Sequence, residues 1–292
     1  MTGVTSVPDQ REARAVGPPA TPAEARSRRP AHLWTIPVSH YCEKARWALD
    51  RAHVPYVEHA HLPIFHRAAS LPVSAGTALP VLKTADDQVL GNAADIVAWA
   101  DVEADAESLF GEGPLRDRVQ HLDARINESV GPAARRWAYF TFASERELAL
   151  RHAATGAPRW QKRAFGAMYR FATRQILRAL HADAERVAMD VELLDAWFDE
   201  LDRMLVDGRP YLMGDLFTVV DLTWACLAAP VLLPPGYAVP LPQPEQLPDD
   251  AAARVRAWRA RSSGQLVLRL FAARPKASRV RFAARRPTPP PS

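Results

Sequence analysis

Lysine and cysteine are scarce in this 292-residue chain, and long apolar runs are missing. Only Lys44, Lys83, Lys162 and Lys276 are lysines among 37 basic residues, a bias that GC-rich coding explains without any reference to function. Cys42 and Cys226 are the only cysteines, too few for a disulfide framework or a cysteine metal cage, which points to a reducing compartment. No apolar stretch reaches the roughly 18 residues a membrane span requires, and the first thirty residues lack the apolar core of a signal peptide. The expected location is the cytoplasm. Acidic residues are also missing after Asp250, whereas ten arginines and Lys276 lie between Arg254 and Arg286, so that segment carries +11. Residues 31–253 hold 21 basic and 30 acidic groups, a net −9. The sequence pI near 9.3 therefore describes one terminus and not the body. A nucleic-acid enzyme with a basic groove across its fold is excluded as the leading reading, and the tail from 275 to 292 stays a candidate contact for a membrane surface or an acidic partner.

What remains is an ordinary globular make-up, 48% hydrophobic and 24% charged. Residues 1–30 contain five prolines and no apolar period, and are expected to be disordered. Residues 31–104 read as a small α/β domain. Leu33, Trp34 and Ile36 form a strand, Cys42 to Arg51 a helix, Tyr56 to His61 a second strand, followed by a long loop. Leu79 to Lys83 and Val89-Leu90 add two more strands before a helix from Asn92 to Asp101. After a linker at 105–113, residues 114–274 read as all α. Helices are expected over Pro114–Glu128, Pro132–His152, Pro158–Ala182, Ala188–Val206, Thr218–Leu227 and Ala251–Ala273, with a proline-dense loop from Pro230 to Pro248.

Chemistry concentrates at Ser39-His40-Tyr41-Cys42, between the first strand and the first helix. Free N–H groups and the helix dipole there stabilise an anion and favour a thiolate. Ser39 also reads as a plain helix cap and Cys42 as a small core residue. Leu79-Pro80 is the second feature: either a cis proline that presents the preceding backbone to a ligand, or an edge-strand proline. His59, His61 and His66 lie close in sequence, but no carboxylate stands at zinc-ligand spacing, so they read as strand and loop histidines. Arg135, Arg136, Trp137 and Tyr139 fall on one early helix of the α region. Cys226 lies in an apolar stretch and reads as core.

In this order the features resemble the glutathione transferase family, across about Ala31 to Arg274. Ser39-x-x-Cys42 followed by Arg46-Trp47-Ala48-Leu49 looks like the family's active-site loop and first helix. It also looks like the glutaredoxin Cys-x-x-Cys with its first Cys changed to Ser. Leu79-Pro80 matches the Val-Pro dipeptide with its cis proline. Tyr211 to Asp215 with Thr218-Val219-Val220-Asp221 matches the C-domain signature, whose physics is a capping box. Pro230 to Pro248 and Trp258 to Phe271 resemble an uncharacterised bacterial subgroup. The resemblance implies a thioredoxin-like N-terminal domain followed by an all-helical bundle, a homodimer, and a detoxifying transferase that needs no metal or tightly bound cofactor. It implies glutathione or another low-molecular-weight thiol as cosubstrate and a small electrophile as acceptor. Ser39 would activate the thiol, with Leu79, Pro80, Asn92 and Ala93 holding the tripeptide and Tyr41, Arg136 and Tyr139 bordering the acceptor pocket. The family places Glu-Ser or Asp-Ser where this chain has Asn92-Ala93. Losing two polar contacts of about 1 kcal/mol each weakens glutathione binding by one to two orders of magnitude. Two alternatives follow, a glutaredoxin-like thiol-disulfide or deglutathionylation activity through Cys42, and a non-catalytic binding or regulatory protein of the same fold.

Overall fold

The structure is a computed structural model that describes residues 29–74 and 76–274. The N-terminal stretch expected to be disordered, apart from Arg29 and Pro30, and the basic tail from 275 lie outside the described residues. Four strands, β1 (Ala31–Thr35), β2 (Tyr56–Ala60), β3 (Val81–Lys83) and β4 (Val89–Leu90), form one sheet in the order β2-β1-β3-β4. β2 runs parallel to β1, and its crossover is the helix α1 (His40–Arg51), while β3 and β4 join antiparallel. Helix α3 (Ala93–Glu103) follows β4. Ala31, Leu33 and Thr35 alternate into the core while His32 and Trp34 are half-buried, as a period of two requires. The connection after β2, expected as a long loop, contains a short helix α2 (Phe65–Ser70).

The chain then becomes helical: α4 (Gly113–Thr141), α5 (Arg146–Ala153), α6 (Arg159–Ala167), α7 (Tyr169–Leu180), α8 (Ala184–Met204), α9 (Val219–Leu232), α10 (Asp249–Ala260) and α11 (Ser262–Ala272). Pro132 lies inside α4 instead of opening a helix as its position suggested. A proline forfeits one intrahelical hydrogen bond. Here the apolar stripe Val119, Leu122, Ile126, Val130, Ala133, Ala134 and Trp137 continues in phase through it, and the burial of that face outweighs the lost bond. Pro230 is likewise held inside α9, so the helix runs five residues past Leu227. Three expected long helices are broken, the first being Pro132–His152, which stops with α4 at Thr141 and resumes as α5 at Arg146. Pro158–Ala182 divides at Met168, and Ala251–Ala273 divides at Arg261, whose backbone is extended. A side chain on Gly264 would lie 2.0 Å from the Trp258 carbonyl oxygen, so glycine permits this corner.

α9 is apolar around its whole circumference and packs against α4, α1, α10 and α11, which makes it the axis of the molecule. Because α1 packs on α9 as well as on α3, its charged residues Glu43, Lys44, Arg46 and Asp50 are buried too. Buried charges need partners: Arg46 pairs with Glu58 of β2 at 2.7 Å, and the helical part supplies others. Lys44 Nζ donates to Asp123 at 3.1 Å and to Asn127 at 3.3 Å. Glu43 accepts from Arg46 at 2.9 Å, from the Ala238 N–H at 3.0 Å and from Arg274. At the far end of α9, the Asp221 carboxylate accepts the Thr218 and Leu212 N–H groups at 2.9 and 2.8 Å, forming the expected capping box and tying the Tyr211–Gly214 turn to the helix.

Candidate active site

The strand register converges three separate segments on one end of the sheet. Trp34 of β1 pairs with Val81 of β3, so Pro80 falls opposite the end of β1, from which the chain leads to Ser39. Leu82 pairs with Leu90 of β4, so the chain reaches Asn92 at the same end. Helices α1 and α3 both begin there, and their free N–H groups give this edge a positive potential. The Leu79-Pro80 peptide is cis.

Ser39 caps α1. Its half-buried hydroxyl accepts the Cys42 N–H at 3.4 Å, a long bond, and its proton lies within reach of the Cys42 sulfur. Asn92 caps α3 through the Asp95 N–H at 2.9 Å, and its amide also donates to the Asp95 carboxylate at 2.6 Å. The side chain expected to hold a ligand is thus engaged within its own helix turn. Ala93 is buried.

Cys42 departs from the thiolate expectation. Its side chain is completely buried, and burial pushes the thiol up, although Arg46 and the hydrogen bonds from Ser39 and Ile36 oppose this. The helix N-terminus is present, but desolvation wins over it. Cys226 is core, as expected, and burial raises its thiol far above the ordinary range.

Tyr41 reaches across to the helical part and donates to the Asn127 carbonyl at 3.2 Å. Arg136 is placed elsewhere: its guanidinium makes two 2.6 Å bonds to the buried Asp190 of α8. The guanidinium expected to border the acceptor pocket is thus engaged with α8. Its neighbour Arg135 points about 100° away around the helix, and its charge acts on His40, Tyr41 and Tyr139 together. Burial raises both tyrosines. His40 is buried and neutral, pushed down to about 3 by burial and then by Arg135, with a hydrogen bond to the Gly131 backbone partly opposing. His40 Nε2 and Arg135 Nε are buried without hydrogen-bond partners. His40 carried no signal of its own in the sequence, since only its contact with α4 makes it part of the site.

The three histidines are engaged separately. His59 is 2.8 Å from the His32 ring nitrogen and stacks on Trp34, whereas His61 bonds Gln161 at 3.0 Å. Among the described residues no group of three His, Cys, Asp or Glu side chains could hold a metal ion.

Residues 33–108 match the family model described as the glutathione S-transferase N-terminal domain. This chain has the glutathione S-transferase fold. A glutathione S-transferase from Rhodospirillum rubrum F11 superposes with a TM-score of 0.50 at 18% identity, covering 82% of this chain and 91% of its own. The beta-etherase LigF from Sphingobium sp. strain SYK-6 gives 0.53 at 14% identity, covering 82% and 99%. A glutathione S-transferase-I, bound with lactoylglutathione in its own structure, gives 0.51 at 19% identity, covering 83% and 100%. At such identities the likeness establishes the fold, a thioredoxin-like N-terminal domain followed by a helical C-terminal domain. No curated protein matches the chain closely in sequence. Among the described residues of this glutathione S-transferase-fold chain, no helix is long and apolar enough to cross a membrane.

Proposed function

We propose that the protein is a glutathione S-transferase-like enzyme that activates glutathione or another low-molecular-weight thiol for attack on a small electrophile. The observation that carries this reading is the convergence of Ser39, the cis Leu79-Pro80 peptide and two helix N-termini on one sheet end. A thiol placed there meets the Ser39 hydroxyl, whose proton turns from Cys42 to the incoming sulfur, and the positive end of α1, both of which favour its anion. The proton leaves to solvent, the sulfur lone pair forms a bond to the electrophilic carbon, and the leaving group departs with its electron pair. The backbone beside Pro80 pairs with the peptide part of the cosubstrate. Tyr41, Tyr139, Arg135 and His40 stand where the two domains meet, and the unpartnered nitrogens of the last two suit an acceptor with polar atoms. The enzyme works in the cytoplasm as a homodimer and detoxifies small electrophiles.

The engagement of Asn92 by Asp95 and the apolar Ala93 remove two contacts to the γ-glutamyl end, which favours a thiol other than glutathione. Thermal-shift titration with glutathione and with other low-molecular-weight thiols tests the reading. A rise in midpoint with one thiol, followed by thiol consumption in the presence of an aromatic halide electrophile, is the expected result. Stabilisation without turnover would instead assign a binding or regulatory role. No stabilisation by any thiol would end the transferase reading.

A further inference from the structure

Away from the sheet, the end of α4, the length of α7 and the start of α8 enclose an open cleft of about 610 Å³. Its long wall is α7, from which Arg170, Arg174 and Arg178 enter the lining at intervals of four residues. That spacing puts them on one helix face, with the outer two about 12 Å apart along the axis. All three are exposed, and none has a carboxylate or carbonyl partner among the described residues. Like charges stacked at this interval destabilise a helix, and here they are kept without counter-charges. Thr173 and Ser144 also line it. Asp183, the one acid in it, is occupied as the cap of α8 through the Arg186 N–H at 2.8 Å, and the Ser144 hydroxyl donates to Glu145 at 3.2 Å.

His181, exposed in the lining, takes the left-handed conformation at φ 52° that ends α7. Glycine suits that position best. A histidine there places an imidazole in the cleft beside the three guanidiniums.

We infer that this cleft is a binding site for a small polyanion carrying two or more phosphate groups, separate from the thiol site. Guanidinium groups match phosphate oxygens in pairs, and three of them over about 12 Å exceed what a single monoanion can engage. A chain of phosphates spans the row and replaces the missing counter-charges.

The test is isothermal titration of the full chain with tripolyphosphate in 150 mM salt, beside the triple variant R170Q/R174Q/R178Q, the single variant R174E and the control R118Q on α4. Wild type and R118Q are expected to bind alike, R174E at least tenfold more weakly, and the triple variant not measurably. All four keep the same circular dichroism, because the substituted side chains are exposed. The affinity falls steeply with added salt. Absence of wild-type binding, equal loss in R118Q, or capture of an acidic peptide with no binding of tripolyphosphate would each overturn the assignment. Thiol-dependent midpoints are unchanged in the triple variant, so failure here is distinguishable from failure of the transferase reading.

Discussion

A side chain on Gly131 would lie 2.2 Å from the Tyr41 hydroxyl, so the glycine of α4 is the space into which the tyrosine in the first turn of α1 fits. The pair joins the two domains one residue before Pro132, where the helix already lacks a hydrogen bond. Gly131→Ala is therefore expected to destabilise the fold by about 1–3 kcal/mol through overpacking, although alanine is the better helix former. Tyr41→Phe removes the nearest atom and should recover part of the loss. Urea unfolding of the two single variants and the double variant measures the coupling, and additive losses would show that the two residues do not compete for this space.

Ser39→Ala is expected to lower kcat/KM for thiol transfer by about a hundredfold, the effect of removing one donor to a developing anion. The cap bond is long, so the stability loss stays within about 1 kcal/mol. Ser39→Thr keeps the hydroxyl and should retain most of the activity. Steady-state rates with one thiol and one electrophile decide the matter, and full activity in the alanine variant removes Ser39 from the mechanism.

Neither cysteine should react in the native protein. With both thiols buried and raised, iodoacetamide at pH 8 is expected to leave Cys42 and Cys226 intact until urea unfolds the chain. Mass spectrometry reads the adducts. Stoichiometric alkylation of native Cys42, or a mixed disulfide trapped on it, would revive a glutaredoxin-like chemistry.

Arg274 closes the network around α1, bonding Asp50 at 3.0 Å as well as Glu43 and lying 5.2 Å over the Trp47 ring. Arg274→Met leaves two buried carboxylates short of a partner and is expected to lose about 3–5 kcal/mol. Arg125→Ala, which breaks an exposed pair with Glu200 at 2.8 Å, should lose less than about 1 kcal/mol. Chemical denaturation of the two variants side by side gives the contrast. Equal losses would mean that the network contributes no more than a surface pair.

The protein should lose stability in mild acid through His40. Unfolded, the imidazole binds a proton near pH 6.5, but folded only near pH 3, so the unfolded state holds more protons between these values. The His40 contribution is complete above about pH 6.5 and shrinks as pH falls, by about 2 kcal/mol at pH 5. His32, His59, His61 and His66 are lowered too and add in the same direction. His40→Asn should flatten the pH dependence between 7 and 5 by its share, and an unchanged slope would place His40 in a solvated site.

Local hydrogen bonding and periodicity were legible in the chain itself. The Ser39 cap, the Thr218–Asp221 box, the strand order of events and the apolar α9 each depend on residues within a few positions of one another, so the sequence by itself determined the two-part fold and the edge at which chemistry concentrates. Tertiary packing decided the rest. It buried Cys42 against the pull of its helix end, carried α4 straight through Pro132, turned Arg136 to Asp190 and Arg135 to His40, and brought Arg274 back onto Glu43 across more than 200 residues. Those outcomes rest on desolvation and on partners distant in sequence, quantities that no local pattern of residue types contains.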